Sequence, residues 1–118
     1  MTIIYGLANC DTCRKARKWL DRFGVRHAFV DYRDVRQPPE TLLKWRDALG
    51  GWEAMINKSS TTWRTLAPNR KAPGSDAEWM LLLKEYPQLI CRPVVITDDG
   101  VVAQGFSDNG FTKLFGKS

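Results

Sequence analysis

The residues of this chain best suited to chemistry are two cysteines three positions apart, in the stretch Asn9-Cys10-Asp11-Thr12-Cys13-Arg14-Lys15. A thiol attacks, or binds a metal, as its thiolate, and a helix N-terminus lowers a thiol pKa from about 8.5 into a range of roughly 3.5 to 7.5. Cys10 stands just before a predicted helix, where unpaired N–H groups and the helix dipole favour an anion. Arg14, Lys15 and Arg17 are expected to add positive charge in the next turn, with Asp11 tempering it. Cys10 is thus the attacking sulfur by position, exposed and activated. Cys13 lies within disulfide reach on the helix face shared with Ala16 and Leu20, more enclosed, as a resolving thiol would be.

Taken alone, these residues leave three readings open: a redox pair, a corner of a zinc site, or two small buried residues. Cysteines are among the most buried residue types and are often inert. A zinc site would draw on Cys10, Cys13, Cys91 and the single histidine, His27, but this spacing lacks a second close pair. A strand ending directly in C-x-x-C at a helix start is the context that favours redox work. Further along, Arg92-Pro93 opens a strand; since only about 5–6% of X-Pro bonds are cis, composition alone points to trans. Cys91 beside it reads as a small residue packed before that strand.

The elements that must position these residues follow from periodicity and punctuation. Thr2 to Gly6 reads as a buried strand, and the spacing Cys13, Ala16, Leu20, Phe23 predicts a helix from Asp11 to Phe23, stopped by Gly24. His27 to Tyr32 is a second strand, and strand, helix, strand with short connections makes the two strands parallel. Pro38-Pro39 opens a helix carrying Leu42, Trp45 and Leu49, closed by Gly50-Gly51. Short helical pieces are expected at Trp52–Ile56 and Thr61–Leu66. Ser75-Asp76-Ala77-Glu78 is a capping box for a helix bearing Trp79, Leu82, Leu83 and Tyr86, ending at Pro87. Pro93–Thr97 and Val101–Gln104 form a hairpin around Asp98-Asp99-Gly100, and Ser107 caps a last helix with Phe111, Leu114 and Phe115.

The bulk composition excludes several classes. A chain of 118 residues with 43% hydrophobic and 26% charged residues is that of one globular domain rather than a disordered or fibrous protein. Three cysteines argue against a disulfide framework. No apolar run approaches a membrane span, and the N-terminus lacks the pattern of a secretory signal, so a cytoplasmic protein is expected. The net charge of +5 is spread among acids without a dense basic tract, so direct nucleic-acid binding is not expected.

The pieces "YGLANCDTCRKARKWL", "DYRD", "WEAMINKSSTTWRTL", "CRPVVI" and "GFSD" together resemble the arsenate-reductase-like (ArsC) branch of the thioredoxin superfamily, over almost the whole chain. They are most similar to the YffB-type members, described as glutathione-dependent thiol reductases; Spx-type regulators, which bind RNA polymerase, share the C-x-x-C start and the Arg-Pro segment. The resemblance implies a thioredoxin-like α/β fold, βαβ followed by ββα on a mixed four-stranded sheet. It places the core at residues 1–37 and 88–118 and a helical insertion at 38–87. It also implies a cis Pro93 facing the nucleophile and shaping the backbone that a substrate disulfide meets. The site so implied has Cys10 and Cys13 as catalytic thiols, with Arg92, Pro93, Arg64, Lys58 and Asn9 around the substrate. Glutathione is the implied co-substrate, with a glutathionylated or disulfide-bearing protein as partner, no bound metal or other cofactor, and a monomeric chain. Arsenate reduction is disfavoured, because of three oxyanion-holding arginines only Arg92 is matched; the other two positions fall near Asn57 and Gly105.

Overall fold

A computed structural model of the protein describes residues 1–116. The chain divides into two compact units, one formed by Met1–Val35 with the chain from Arg92 onward, the other by Arg36–Cys91. The last two residues of the expected core, 117 and 118, lie outside the described residues.

The first unit is built on a sheet of strands β1 (Thr2–Gly6), β2 (His27–Asp31), β3 (Val94–Ile96) and β4 (Val102–Gln104), in the order β2-β1-β3-β4. Helix α1 (Asp11–Arg22) connects β1 to β2, which run parallel with Thr2 opposite His27 and Gly6 opposite Asp31. β3 is antiparallel to β1, with Tyr5 opposite Val94, and β4 is antiparallel to β3. This is the mixed thioredoxin-like sheet that the resemblance implies. β3 lies between two neighbours, and Val94 and Val95 are fully buried, as an uninterrupted apolar run requires. Its boundaries are tighter than Pro93–Thr97 because Pro93 has no N–H to give and Thr97 already belongs to the turn, where its carbonyl accepts from the Gly100 N–H at 2.9 Å. Gly100 takes φ +86°, the left-handed conformation the hairpin turn needs.

α1 buries Cys13, Ala16, Trp19 and Leu20, one stripe of a 3.6-residue period, against Ile4 and Val95 of the sheet. Helix α6 (Asp108–Leu114), capped by the Ser107 hydroxyl accepting from the Gly110 N–H at 3.0 Å, adds Phe111 to the same core. Trp19 sits in an aromatic cluster, with its ring centroid 4.5 Å from Phe23, 5.3 Å from Phe111 and 5.7 Å from Phe115.

The second unit is helical: α2 (Pro39–Leu49), α3 (Trp52–Met55), α4 (Thr61–Thr65) and α5 (Asp76–Glu85), then a 3-10 turn over Pro87–Leu89. α2 ends at Gly50 and Gly51 with φ +99° and +121°. Ser75 caps α5 through the Glu78 N–H, but the Glu78 carboxylate accepts from the Gly74 N–H at 2.8 Å, one residue before the donor a capping box would use. Trp52 and Trp79 stack at 6.2 Å, and the Trp52 indole donates to Asp76 at 2.8 Å.

Candidate active site

The strand registers bring the chemistry together. Gly6 and Asp31 end the parallel pair side by side, so the loop Leu7–Cys10 leaves the sheet at that edge. β3 runs the other way and pairs Val94 with Tyr5, which delivers Arg92-Pro93 to the same end. The Arg92–Pro93 peptide is cis, as the resemblance implies and against the expectation from composition. Pro93 is buried and its carbonyl accepts from the Gly105 N–H at 2.8 Å, which anchors the segment carrying Arg92.

Cys10 is the N-cap of α1, in extended conformation, with its carbonyl accepting from the Arg14 N–H at 2.9 Å. It is half-buried rather than exposed as expected. The Arg92 guanidinium lies against the sulfur, with Nε donating to Sγ at 3.4 Å. Partial burial pushes the Cys10 thiol up, but the Cys13 N–H, the Arg92 guanidinium and the Cys13 thiol together hold it below its ordinary value. The Cys13 N–H does not close a cap bond of ordinary geometry, yet it faces the sulfur and favours the anion.

The cation that matters is therefore not the one expected from α1. Arg14 is taken by an ion pair with Asp11, three residues back on the same helix, and Arg17 lies over the Phe29 ring at 4.3 Å. Asp11 correspondingly spends its charge on Arg14. Helical spacing puts positive charge in the right turn of sequence but not at the sulfur, whereas Arg92 arrives across the sheet end, 82 residues away.

Cys13 is 1% exposed. Burial pushes its thiol up to about 11; the Leu7 N–H works against this, and the neighbouring Cys10 adds to it. Its sulfur fills the space over Gly6, where an added Cβ would come within 2.4 Å of Sγ. Glycine at the end of β1 is thus what lets the second sulfur lie beneath the first. None of the three cysteines is disulfide-bonded.

The loop bearing Cys10 is tied to the end of β2. The Asp31 carboxylate accepts from the Ala8 N–H at 2.9 Å and pairs with Arg33 at 3.2 Å, and Arg33 also donates to the Asn9 side chain at 3.3 Å. Burial opposes ionisation of Asp31, but these bonds win and bring its carboxyl down to about 2. Asn9 is exposed beside the nucleophile. Lys58 and Arg64 belong to the helical unit: Lys58 pairs with Glu53 at 3.7 Å, and Arg64 is an exposed residue of α4. Cys91 lies in that unit too, its N–H donating to the Met55 carbonyl at 2.6 Å. Among the described residues, no group of three or more His, Cys, Asp and Glu side chains could hold a metal ion; His27 instead bonds the Val25 carbonyl at 2.8 Å.

Gly6, Asp31, Tyr32 and Arg33 stand at the candidate site, and reading the residues did not single them out. The signal was present in "DYRD", which ends a strand parallel to the one leading into the cysteines, at the sheet edge where such folds build sites.

Comparisons with known proteins place this geometry. The ArsC family model matches residues 5–114. An uncharacterized protein of Haemophilus influenzae is 36% identical over 115 residues, covering 98% of this chain and 99% of its own. The global transcriptional regulator Spx 1 of Lactococcus lactis is 31% identical over 115 residues, covering 92% of this chain and 84% of its own. Among solved structures, a YffB protein superposes with a TM-score of 0.84 at 34% identity, over 96% of this chain and 97% of that one.

Proposed function

The chain belongs to the ArsC family, and we propose that within it this protein is a glutathione-dependent thiol reductase with Cys10 as its nucleophile. The observation that carries this reading is the sulfur at the mouth of α1 with Arg92 Nε at 3.4 Å and its acidity raised. The likeness to a YffB protein is in keeping with it.

The Cys10 thiolate attacks the glutathione sulfur of a glutathionylated protein. The old S–S bond breaks, the protein sulfur leaves as thiolate and takes up a proton, and Cys10 is held in a mixed disulfide with glutathione. A second thiolate then attacks. If it is glutathione, oxidised glutathione leaves and the Cys10 thiolate is restored; if it is Cys13, a Cys10–Cys13 disulfide forms and glutathione leaves. Burial and a thiol raised to about 11 make Cys13 the slower of the two, so glutathione carries most of the turnover. Once Cys10 has lost its charge in the mixed disulfide, the Arg92 guanidinium can pair with a glutathione carboxylate. Asn9 lines the approach, and Pro93 holds the Arg92 segment. The reaction needs no metal or bound cofactor and runs in the reducing cytoplasm, on a monomer. Among the described residues no helix is long and apolar enough to cross a membrane.

Arsenate is the poorer substrate. Asn57 accepts from the Ser59 N–H, and Gly105 offers no side chain, so neither position supplies the missing guanidinium. The relationship to Spx 1 favours a second reading, a redox-sensing regulator of RNA polymerase in which the cysteine pair is the switch.

Reduction of a mixed disulfide by glutathione, coupled to glutathione reductase, separates the two. Turnover that Cys10→Ser brings to the detection limit and Cys13→Ser largely keeps supports the enzyme. Negligible turnover, with a binding partner captured in one oxidation state, supports the regulator. Mass spectrometry after exposure to oxidised glutathione should find the modification on Cys10.

A further inference from the structure

Tyr32 directly follows β2 and is 2% exposed. Its N–H donates to the Gly6 carbonyl at 3.2 Å, extending the β1–β2 pairing by one residue at the sheet end that holds the thiols. A buried phenol needs a partner for its oxygen, and here the oxygen accepts from the Arg92 guanidinium. We propose that Tyr32 is a positioning residue of the thiol site, whose buried phenol oxygen holds Arg92 so that Nε stays aimed at the Cys10 sulfur.

The geometry explains why one bond to sulfur would be insufficient. A guanidinium at the end of three methylenes with a single attachment turns about it, and sulfur is a large, weakly directional acceptor. A second bond from the same planar fork, to an acceptor on a strand end, fixes the plane of the group and leaves Nε in one direction. Phenylalanine would fill the same space, yet it would leave a half-buried cation with an N–H lacking its acceptor. The titratable groups facing the phenol are Arg92, Cys13 and Cys10, and burial pushes the phenol itself well up from its ordinary value. Tyr32 therefore stays neutral while Cys10 titrates, and its hold on Arg92 does not change over that range.

This inference rests on Cys10 being the reactive thiol of the proposed reductase, but it is tested on the free protein without glutathione. The rate of Cys10 alkylation by iodoacetamide is followed against pH, with the modified peptide identified by mass spectrometry so that Cys91 does not contribute. Tyr32→Phe should move the midpoint up by about half a pH unit, which leaves about threefold less thiolate below it. In an Arg92→Ala background the same substitution should move it no further. An unchanged midpoint in folded Tyr32→Phe, or an equal shift in both backgrounds, overturns the proposal. If the variant does not fold, the Arg92 Nε–H signal of the unaltered protein decides. Protection from solvent exchange that survives alkylation of Cys10 shows the second anchor, and loss of protection on alkylation refutes it. Absent glutathione turnover would refute the reductase reading and leave this result standing.

Discussion

The two units of the chain each spend arginine and aspartate on their organisation, yet to different ends. In the helical unit, Arg46 pairs with Asp76 at 2.8 Å and lies over Trp52, whose indole donates to the same aspartate. Both charges of that cluster meet their opposite, and it clips α2, α3 and the start of α5 together. In the sheet unit, Asp31 and Arg33 hold the loop before Cys10, while Arg92 faces a sulfur and a phenol. The Arg92 guanidinium lies against the Cys10 sulfur and helps hold the thiol below its ordinary value. The difference teaches that an arginine set against a sulfur tunes a thiol, whereas one set against a carboxylate and an indole ties helices together.

The contrast is easiest to break through the cores. Trp19→Ala removes the centre of the sheet unit's aromatic cluster and should cost about 3–5 kcal/mol in denaturant unfolding, and Trp45→Ala, 1% exposed in the helical unit, should cost a similar amount. If only one of them does so, the units do not share the burden of stability equally. Gly6→Ala comes next, because its methyl would meet the Cys13 sulfur at 2.4 Å and something must shift. Overpacking of this kind costs about 1–3 kcal/mol. Relief of the loss in Gly6→Ala with Cys13→Ala would assign it to that sulfur.

A sharper test compares the two arginines directly. Arg92→Ala should raise the midpoint of Cys10 alkylation toward that of an ordinary thiol, by about one unit, with little change in melting temperature. Arg46→Ala should be read chiefly as a lower melting temperature. An unshifted thiol in Arg92→Ala would show that this guanidinium does not tune Cys10.

The smallest effect lies at alkaline pH. The folded state holds the Cys13 proton more tightly than the unfolded chain does, so stability is fully present below the ordinary thiol value near 9 and falls as pH rises toward about 11. Urea unfolding across that interval should show the decline, and Cys13→Ser should flatten it. A slope that survives the substitution would point to another group.

Much of the architecture was legible because its signals are local. The apolar stripe of α1, the Ser75 and Ser107 caps, the Gly50-Gly51 stop and the Asp-Asp-Gly turn act within a few residues, and each element stands within a residue or two of where those signals put it. The parallel pairing of β1 with β2 followed from the short connections through α1. At the site, the same locality identified Cys10 as the sulfur at the helix mouth and misassigned its cation. Arg14 has the right sequence distance from Cys10, but Asp11 is nearer still to Arg14 along the helix and takes it.

The sequence by itself therefore determined which cysteine caps the helix and which one is turned inward, since both facts depend on periodicity and position within one element. Tertiary structure alone decided that Cys10 is half-buried, that Arg92 and not Arg14 stands at its sulfur, and that Tyr32 stands behind Arg92. These depend on strand register, which brings residues 22 and 82 positions from Cys10 to one end of the sheet. Electrostatic influence on a thiol falls off over a few ångströms, so the residue that reaches the sulfur governs it whatever its distance along the chain.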